Sequence, residues 1–177
     1  MFRTLKKRVV YENPWIRVWE DQVEFSNGEP GIYGHLERRD EGALIIPMTP
    51  DGRFVVLHEW RYPIQGWTWC WPVGGSHTKG EDSLVVAKRE LKEETGYTAR
   101  EWIDLGGLRI DPGLSNQYER VFLARDLSLG TPRCEISEIH EVVIKTKEDI
   151  EAMIARDEID NGWFLAGFAK AKVFLDL

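Results

Sequence analysis

The stretch GSHTKGEDSLVVAKRELKEETGY, residues 75–97, determines how the rest of the chain is interpreted. Apolar side chains between its glycines recur at helical spacing, as Ala87 and Leu91 show. Asp82 or Ser83 fits the N-cap position, and the last glycine fits the left-handed residue that ends many helices. The stretch therefore predicts a short amphipathic helix.

Three glutamates, Glu90, Glu93 and Glu94, lie together near the end of this predicted helix. Like charges at such spacing destabilise a helix by about 0.2–0.5 kcal/mol per pair. Carboxylates there also face the negative end of the helix dipole, which costs about 0.3–1 kcal/mol each. One interpretation is a solvated face with Arg89 and Lys92 as counter-charges. The other is a site for Mg²⁺ or Mn²⁺, because hard oxygen ligands suit these ions and a cation removes the repulsion.

The composition limits the classes of function. The chain has 177 residues, of which 42% are hydrophobic and 30% charged, as expected for one globular domain with at most a small appendage. No apolar run approaches the ~20 residues of a membrane span, and the N-terminus lacks the apolar core of a secretory signal. We therefore expect a cytoplasmic protein with no membrane partner. The net charge of −7 argues against nucleic acid as a partner.

The order of the predicted elements indicates the fold class. Residues 8–38 contain short β-like runs around a turn at 26–31, and residues 43–63 contain two apolar strands. More strand-like pieces follow the helix. Residues 147–177 show helical spacing with an interruption at 160–162, which predicts two helices. Strands, a central helix, further strands and final helices indicate an α+β fold rather than a regular βαβ array.

The cysteines and histidines predict no site. Cys70 and Cys134 lack the spacing of a disulfide framework or a zinc site and are interpreted as small hydrophobic residues. An oxygen-rich metal site does not require imidazole, so all four histidines are predicted to be structural. These are His35, His58, His77 and His140.

Residues 75–97 also resemble the Nudix box, Gx5Ex7REUxEExGU, in which U is an aliphatic residue. Gly75, Glu81 and the run RELKEETG at 89–96 fill every invariant position at the required spacing. The aromatic Tyr97 departs from the pattern at its final position. The resemblance implies a metal-dependent pyrophosphohydrolase whose fold is an α/β/α sandwich with a mixed β-sheet, in agreement with the predicted element order.

The resemblance also implies a metal site. It assigns metal ligands to the Gly74 carbonyl, Glu90, Glu93 and Glu94, with Glu93 binding directly or through water. It makes Arg89 a support that holds carboxylates with its planar guanidinium. Glu81 is either a second support or a first-turn acid favoured by the helix dipole. The implied cofactor is Mg²⁺, with Mn²⁺ as the alternative.

Outside the box the chain resembles ADP-ribose and nucleotide-sugar pyrophosphatases. Pro112, sixteen residues after Gly96, has the spacing of that subfamily and marks a substrate-binding segment. The run WRYPIQGWTWCWPVGG at 60–75 implies that Arg61 contacts the substrate phosphates, the alternative being a surface arginine. At Cys70 the subfamily commonly has a glutamate, so a GDP-mannose-type sugar nucleotide is an alternative substrate.

The same subfamily places a catalytic base on a loop before the last strand. Glu135 aligns best with this base, and Glu138 is the alternative. Glu93 is a third candidate, and both loop residues have a second interpretation as solvated acids. A base must approach the attacking water within hydrogen-bond distance before its pKa matters.

We expect two segments, an N-terminal β arm at 1–40 and a Nudix domain at 41–177. Members of the subfamily form dimers in which such an arm crosses to the partner, so the resemblance implies a homodimer. It also implies that Trp15 and Trp19 stack on the substrate base, because every base offers a π-face. Packing in a core or an interface is the alternative for both tryptophans.

The leading hypothesis is Mg²⁺-dependent hydrolysis of ADP-ribose or a related nucleotide sugar to a nucleoside monophosphate and a sugar phosphate. Nucleoside triphosphates and capped RNA are rival substrates, against which the Pro112 spacing and the acidic charge argue, respectively. A catalytically silent ligand-sensing module is the non-enzyme alternative. Such a module is expected to lose box carboxylates, and this chain keeps them.

Overall fold

A computed structural model describes residues 1–38, 41–76, 78, 80–130 and 139–177. These residues form two compact units. The N-terminal unit comprises Met1–Glu41 and Arg109–Tyr118, and the central unit comprises Gly42–Leu108 and Glu119–Leu177. Residues 109–118 thus lie with the N-terminal unit although they interrupt the central one in sequence.

The N-terminal unit is a four-stranded antiparallel sheet. Its strands are β1 (Arg3–Lys6), β2 (Val9–Glu12), β3 (Ile16–Glu24) and β4 (Pro30–Arg38). Strand β3 pairs with the other three. The inserted residues 109–118 lie against β4, where Leu36 donates its backbone N–H to the Leu114 carbonyl at 2.8 Å. The Asn116 side chain bonds both backbone groups of Arg38, at 2.8 and 3.3 Å.

The described residues of the central unit form two sheets, three α-helices and one short 3₁₀ helix, Tyr62–Ile64. Its first strands are β5 (Gly42–Pro47), β6 (Phe54–Arg61), β7 (Gly66–Cys70) and β8 (Val73–Gly75). Helix α1 (Ser83–Thr95), β9 (Tyr97–Leu108), β10 (Glu119–Leu129), β11 (His140–Lys145), α2 (Lys147–Ala155) and α3 (Gly162–Leu175) follow. One sheet has the order β8-β5-β10-β9 and the other β11-β6-β7. Strands β5 and β10 are parallel whereas β9 and β10 are antiparallel, so the predicted mixed sheet is confirmed.

Strand β5 is buried on both faces and separates two hydrophobic cores. Successive side chains of a strand point to opposite faces, so Ala43 and Ile45 pack with the α1 core while Leu44 and Ile46 pack with the α2 and α3 core. Strands covered on both faces read as continuous apolar runs, as ALII does here. Helices on both sides of the mixed sheet form the α/β/α sandwich that the sequence predicted.

Helix α1 begins and ends as its sequence predicts. Asp82 is the N-cap and accepts the backbone N–H groups of Leu84 and Val85 at 2.9 and 3.3 Å. Gly96 ends the helix with a φ of 74°, a left-handed conformation that favours glycine. The predicted pair of C-terminal helices is also confirmed, with Asn161 as the N-cap of α3. In the described part of the chain, no helix is long and apolar enough to cross a membrane.

Replacing Asp82 with alanine tests the helix start. Asp82→Ala removes the acceptor of two backbone donors, so we expect the free energy of unfolding to fall by about 1 kcal/mol. Urea denaturation followed by circular dichroism measures this change. Asp82→Asn keeps an acceptor oxygen and should retain most of the stability. Equal losses in both variants would contradict the capping role.

Candidate active site

The end of helix α1 holds two of its three clustered glutamates inside the protein. Glu90 and Glu94 are buried, whereas Glu93 is half-buried. The Val73 backbone N–H donates to Oε2 of Glu94 at 3.1 Å, which ties the helix end to strand β8. A fully solvated acidic face is therefore excluded for Glu90 and Glu94.

Glycine at position 74 allows the Glu90 carboxylate to approach the backbone. A Cβ atom built on Gly74 would lie 1.9 Å from Cδ of Glu90 and 2.0 Å from its Oε1. Such distances are far below van der Waals contact, so only glycine permits this arrangement. The backbone at residue 74 and the Glu90 carboxylate therefore form one cradle, as the assignment of both to a metal site requires.

A further carboxylate, which the sequence interpretation missed, joins this cradle. Glu119 is buried at the start of β10 and pairs in register with Gly42 of β5. A Cβ atom built on Gly42 would lie 2.0 Å from Oε2 of Glu119 and 2.6 Å from the Gly74 carbonyl oxygen. The Glu119 carboxylate and the Gly74 carbonyl thus lie close to the same point. The only sequence signal for Glu119 is an acid two residues before the apolar run VFLA.

Arg89 joins the carboxylates of the box. Its Nη1 lies 2.7 Å from Oε1 of Glu90 and 3.0 Å from Oε2 of Glu93, and its Nη2 donates to the Gly75 carbonyl at 2.8 Å. Burial alone would lower the pKa of the Arg89 guanidinium, but the two glutamates raise that pKa above its ordinary value. Arg89 is therefore a permanent cation in this position.

The donors of the cradle fit a hard divalent cation. Carboxylate and carbonyl oxygens are the ligands that Mg²⁺ and Mn²⁺ prefer. Within the described ranges, no three histidine, cysteine, aspartate or glutamate side chains form a ready metal site. Instead, Glu90 and Glu93 form ion pairs with Arg89, and Glu94 accepts a hydrogen bond from the Val73 backbone. The set therefore has the right chemistry, with its charge partly balanced by an internal arginine.

Arg61 lies at the end of β6 and is not an isolated surface arginine. Its Nη2 lies 2.7 Å from Oε2 of Glu59, which is buried. The nearby Cys70 thiol is also buried, and burial raises its pKa to about 11. Cys70 is thus the small buried residue that its sequence predicted.

The other candidate substrate residues lie in the N-terminal unit. Pro112 is exposed, and Trp15 is 73% exposed. Trp19 donates from Nε1 to Glu37 at 2.5 Å, and Arg17 lies over its ring at 5.5 Å. A role in base binding stays a prediction for both tryptophans.

Several predicted residues fall outside the described ranges. Two of the described histidines contact other residues of the central unit. Glu135, Glu138, Cys134 and His77 lie outside the described residues. Nε2 of His140 lies 2.7 Å from the Glu94 backbone oxygen, and His58 stacks on Trp69 at 4.4 Å. Ser76 donates to Oε2 of Glu81 at 3.2 Å, so Glu81 contacts the start of the box loop.

Comparison with known proteins identifies the family. The NUDIX domain profile matches residues 38–165, and that of the nucleoside diphosphate sugar hydrolase N-terminal domain matches residues 2–36. The chain therefore belongs to the Nudix family, and it is a hydrolase.

Curated relatives and one solved structure extend this result. An ADP-ribose pyrophosphatase of Mycobacterium tuberculosis is 30% identical over 94% of this chain and 81% of its own length. An ADP-ribose pyrophosphatase of Bacillus subtilis is 27% identical over 89% of this chain and 85% of its own. A crystal structure of an ADP compounds hydrolase has a TM-score of 0.88 at 20% identity and covers 99% of this chain and 94% of the other. That structure confirms the fold.

Proposed function

We propose that this protein hydrolyses the diphosphate bond of ADP-ribose or a related nucleoside diphosphate sugar with Mg²⁺ as cofactor. The products are a nucleoside monophosphate and a sugar phosphate. The observation that carries the proposal is the cradle of Gly74, Glu90 and Glu119, next to which Glu94 accepts the Val73 N–H. It is supported by similarity to two ADP-ribose pyrophosphatases over 89% and 94% of this chain. A cytoplasmic location is part of the same proposal.

Within this proposal, Glu90, Glu94 and the Gly74 carbonyl hold the metal ion, Glu93 binds it directly or through water, and Glu119 lies beside the Gly74 carbonyl. A bound Mg²⁺ would neutralise phosphate charge and make a coordinated water nucleophilic near neutral pH. Arg89 keeps Glu90 and Glu93 in position through its two ion pairs. Burial of the carboxylates strengthens their interaction with any cation, because the local dielectric is low.

Arg61, Glu135 and a few residues of the N-terminal unit are proposed to supply the remaining roles. Arg61 contacts the substrate diphosphate, for which its planar, permanently charged guanidinium is suited. Glu135 is the proposed base that takes the proton of the attacking water, with Glu138 and Glu93 as alternatives. Pro112, Trp15 and Trp19 are proposed to contact the nucleotide or sugar.

A product assay tests the substrate class. The protein is incubated with Mg²⁺ and, separately, ADP-ribose, ADP-glucose, UDP-glucose and GDP-mannose, and the products are identified by anion-exchange chromatography and mass spectrometry. Preference for ADP-ribose supports the leading proposal. Preference for GDP-mannose would assign the sugar alternative, which the cysteine at position 70 motivates. No cleavage of any of the four, with or without Mn²⁺, would refute the proposal.

We also propose that the protein is a homodimer assembled through its N-terminal unit. That unit exposes several large apolar side chains on adjoining short strands, namely Phe2, Leu5, Val9, Val10 and Tyr11. Large exposed apolar side chains that lie close together in sequence are typical of interaction sites in soluble proteins. Strands β1 and β2 have four residues each, and strands at a sheet edge offer backbone groups with which another chain can pair.

The substitution Val10→Lys tests this assembly. Val10 is 47% exposed, so lysine should shift the protein toward monomers without unfolding it. Light scattering after size exclusion should give about 20.5 kDa for the variant and twice that mass for the wild type. Val173→Lys, at an exposed site on α3, is the matched control and should stay dimeric. A monomeric wild type, or a fully active monomer that lacks residues 1–40, would contradict the proposal.

A further inference from the structure

Strands β6 and β7 bring four polar side chains to one face of their hairpin. Leu57 pairs with Cys70, Glu59 with Thr68, and Arg61 with Gly66. Because side chains alternate along a strand, these paired positions share a face. Glu59, Arg61, Thr68 and Cys70 are called the hairpin cluster below.

The ion pair of this cluster is asymmetric. The Glu59 side chain is 7% exposed, whereas that of Arg61 is 43% exposed, and Oε2 of Glu59 lies 2.7 Å from Nη2 of Arg61. A buried carboxylate requires a partner, because losing its hydration is costly. One end of the pair is therefore fixed in the sheet. The guanidinium keeps further N–H donors that a solvent-borne anion can reach.

We propose that Glu59 is a positioning residue that holds the Arg61 guanidinium ready for the diphosphate of the substrate. The inference rests on the proposed function, since it takes Arg61 as the diphosphate ligand. An arginine side chain has several rotatable bonds, so an unanchored Arg61 would have to be ordered each time a substrate binds. The buried carboxylate removes that cost by fixing the side chain in advance.

Position 70, now a cysteine, is a second place from which a carboxylate could pair with Arg61. Its thiol interacts with both Arg61 and Glu59, and Nδ2 of Asn161 lies 3.4 Å from its sulfur. Burial raises the pKa of this thiol to about 11, so position 70 is neutral and Glu59 supplies the charge. A carboxylate moved from position 59 to position 70 should therefore face the same guanidinium.

Steady-state kinetics with the best substrate of the product assay tests the role of Glu59. Glu59→Gln keeps the shape but removes the charge, and KM should rise about tenfold while kcat changes less than about threefold. Thr68→Val, on the same face and opposite Glu59, is the control and should leave KM within about twofold. The double variant Glu59→Gln/Cys70→Asp should recover most of the lost KM. An unchanged or lower KM in Glu59→Gln would overturn the inference, because Glu59 would then only pack against Arg61 or weaken its charge.

Calorimetric binding of inorganic pyrophosphate separates this inference from the proposed function. If the wild type cleaves none of the nucleotide sugars, the proposed function fails, but Arg61 can still be assayed as an anion ligand. Weaker pyrophosphate binding in Glu59→Gln, restored in the double variant, would keep the positioning role. Equal binding by the wild type and Glu59→Gln, with both shown to be folded by circular dichroism, would overturn it. Should the double variant fail to fold, the comparison of Glu59→Gln with Thr68→Val decides alone.

Discussion

We expect Glu94→Gln to lower kcat by about 10³-fold or more while the protein stays folded, since a metal ion contributes several kcal/mol to transition-state stabilisation. Glutamine has nearly the shape of glutamate, and its carbonyl oxygen can still accept the Val73 N–H that Glu94 accepts at 3.1 Å. The substitution therefore removes the negative charge and keeps the link between α1 and β8. Steady-state kinetics at saturating substrate and a range of Mg²⁺ concentrations measures the change.

A stability measurement checks the same assignment without catalysis. A ligand that binds only the folded state raises the melting temperature, so Mg²⁺ should stabilise the wild type. The increase should be much smaller in Glu94→Gln. Glu101→Gln removes an equal charge from an exposed site on β9 and should behave as the wild type in both assays. Wild-type turnover in Glu94→Gln, or an equal Mg²⁺ effect on its melting temperature, would refute the metal assignment.

Helix α1 and its acidic residues could be predicted because the spacing between these residues is set by the helix itself. Helical periodicity fixes which side chains share a face once the caps are recognised. Arg89, Glu90 and Glu93 therefore appear in the structure on the helix end that the sequence indicated, and Arg89 bridges the other two. The resemblance to the Nudix box added their roles, which periodicity alone does not supply.

Glu119 could not be predicted, because strand pairing brings it to its site. Glu119 reaches the cradle through the parallel register of β10 with β5, which places it beside Gly42. The antiparallel register of β5 with β8 then places Gly42 opposite Gly75 and Ala43 opposite Gly74. A shift of one residue in either register would turn these side chains to the other face, and no local pattern specifies the register. The sequence therefore names the helical residues of the cradle and Gly74 of β8, and it leaves out Glu119.

The Arg61 ion pair illustrates the same limit on a smaller scale. Glu59 and Arg61 are two residues apart, so their common face follows from strand periodicity. Burial of Glu59 does not, because a charged residue near the end of a strand is usually exposed. The structure shows that the Glu59 carboxylate is buried and that the Arg61 guanidinium is partly exposed. The sequence indicated Arg61 as a substrate contact but did not indicate its buried partner.

Gly74→Ala tests the sheet half of the cradle by steric means. A methyl group at position 74 would lie 1.9 Å from Cδ of Glu90, so the carboxylate has to leave its place beside the residue 74 backbone. We expect kcat/KM to fall by about 10²-fold or more, as for other displaced catalytic groups. The free energy of unfolding should fall by about 1–3 kcal/mol, since the added methyl overpacks a buried site. Kinetics and urea denaturation measure the two effects.

A neighbouring glycine and a double variant show whether the clash with Glu90 is the cause. In the described part of the chain, a Cβ atom at Gly75 would have no atom within 4 Å beyond its own and adjacent residues, so Gly75→Ala should cost little stability. In Gly74→Ala/Glu90→Ala the methyl group gains the space that the carboxylate occupied, so stability should return toward that of Glu90→Ala alone. Activity should stay lost, because the carboxylate is absent. This non-additive stability is the signature of direct contact between two positions. Additive losses would mean that Gly74 acts through the conformation of β8, and then the cradle would not depend on the approach of Glu90 to the backbone.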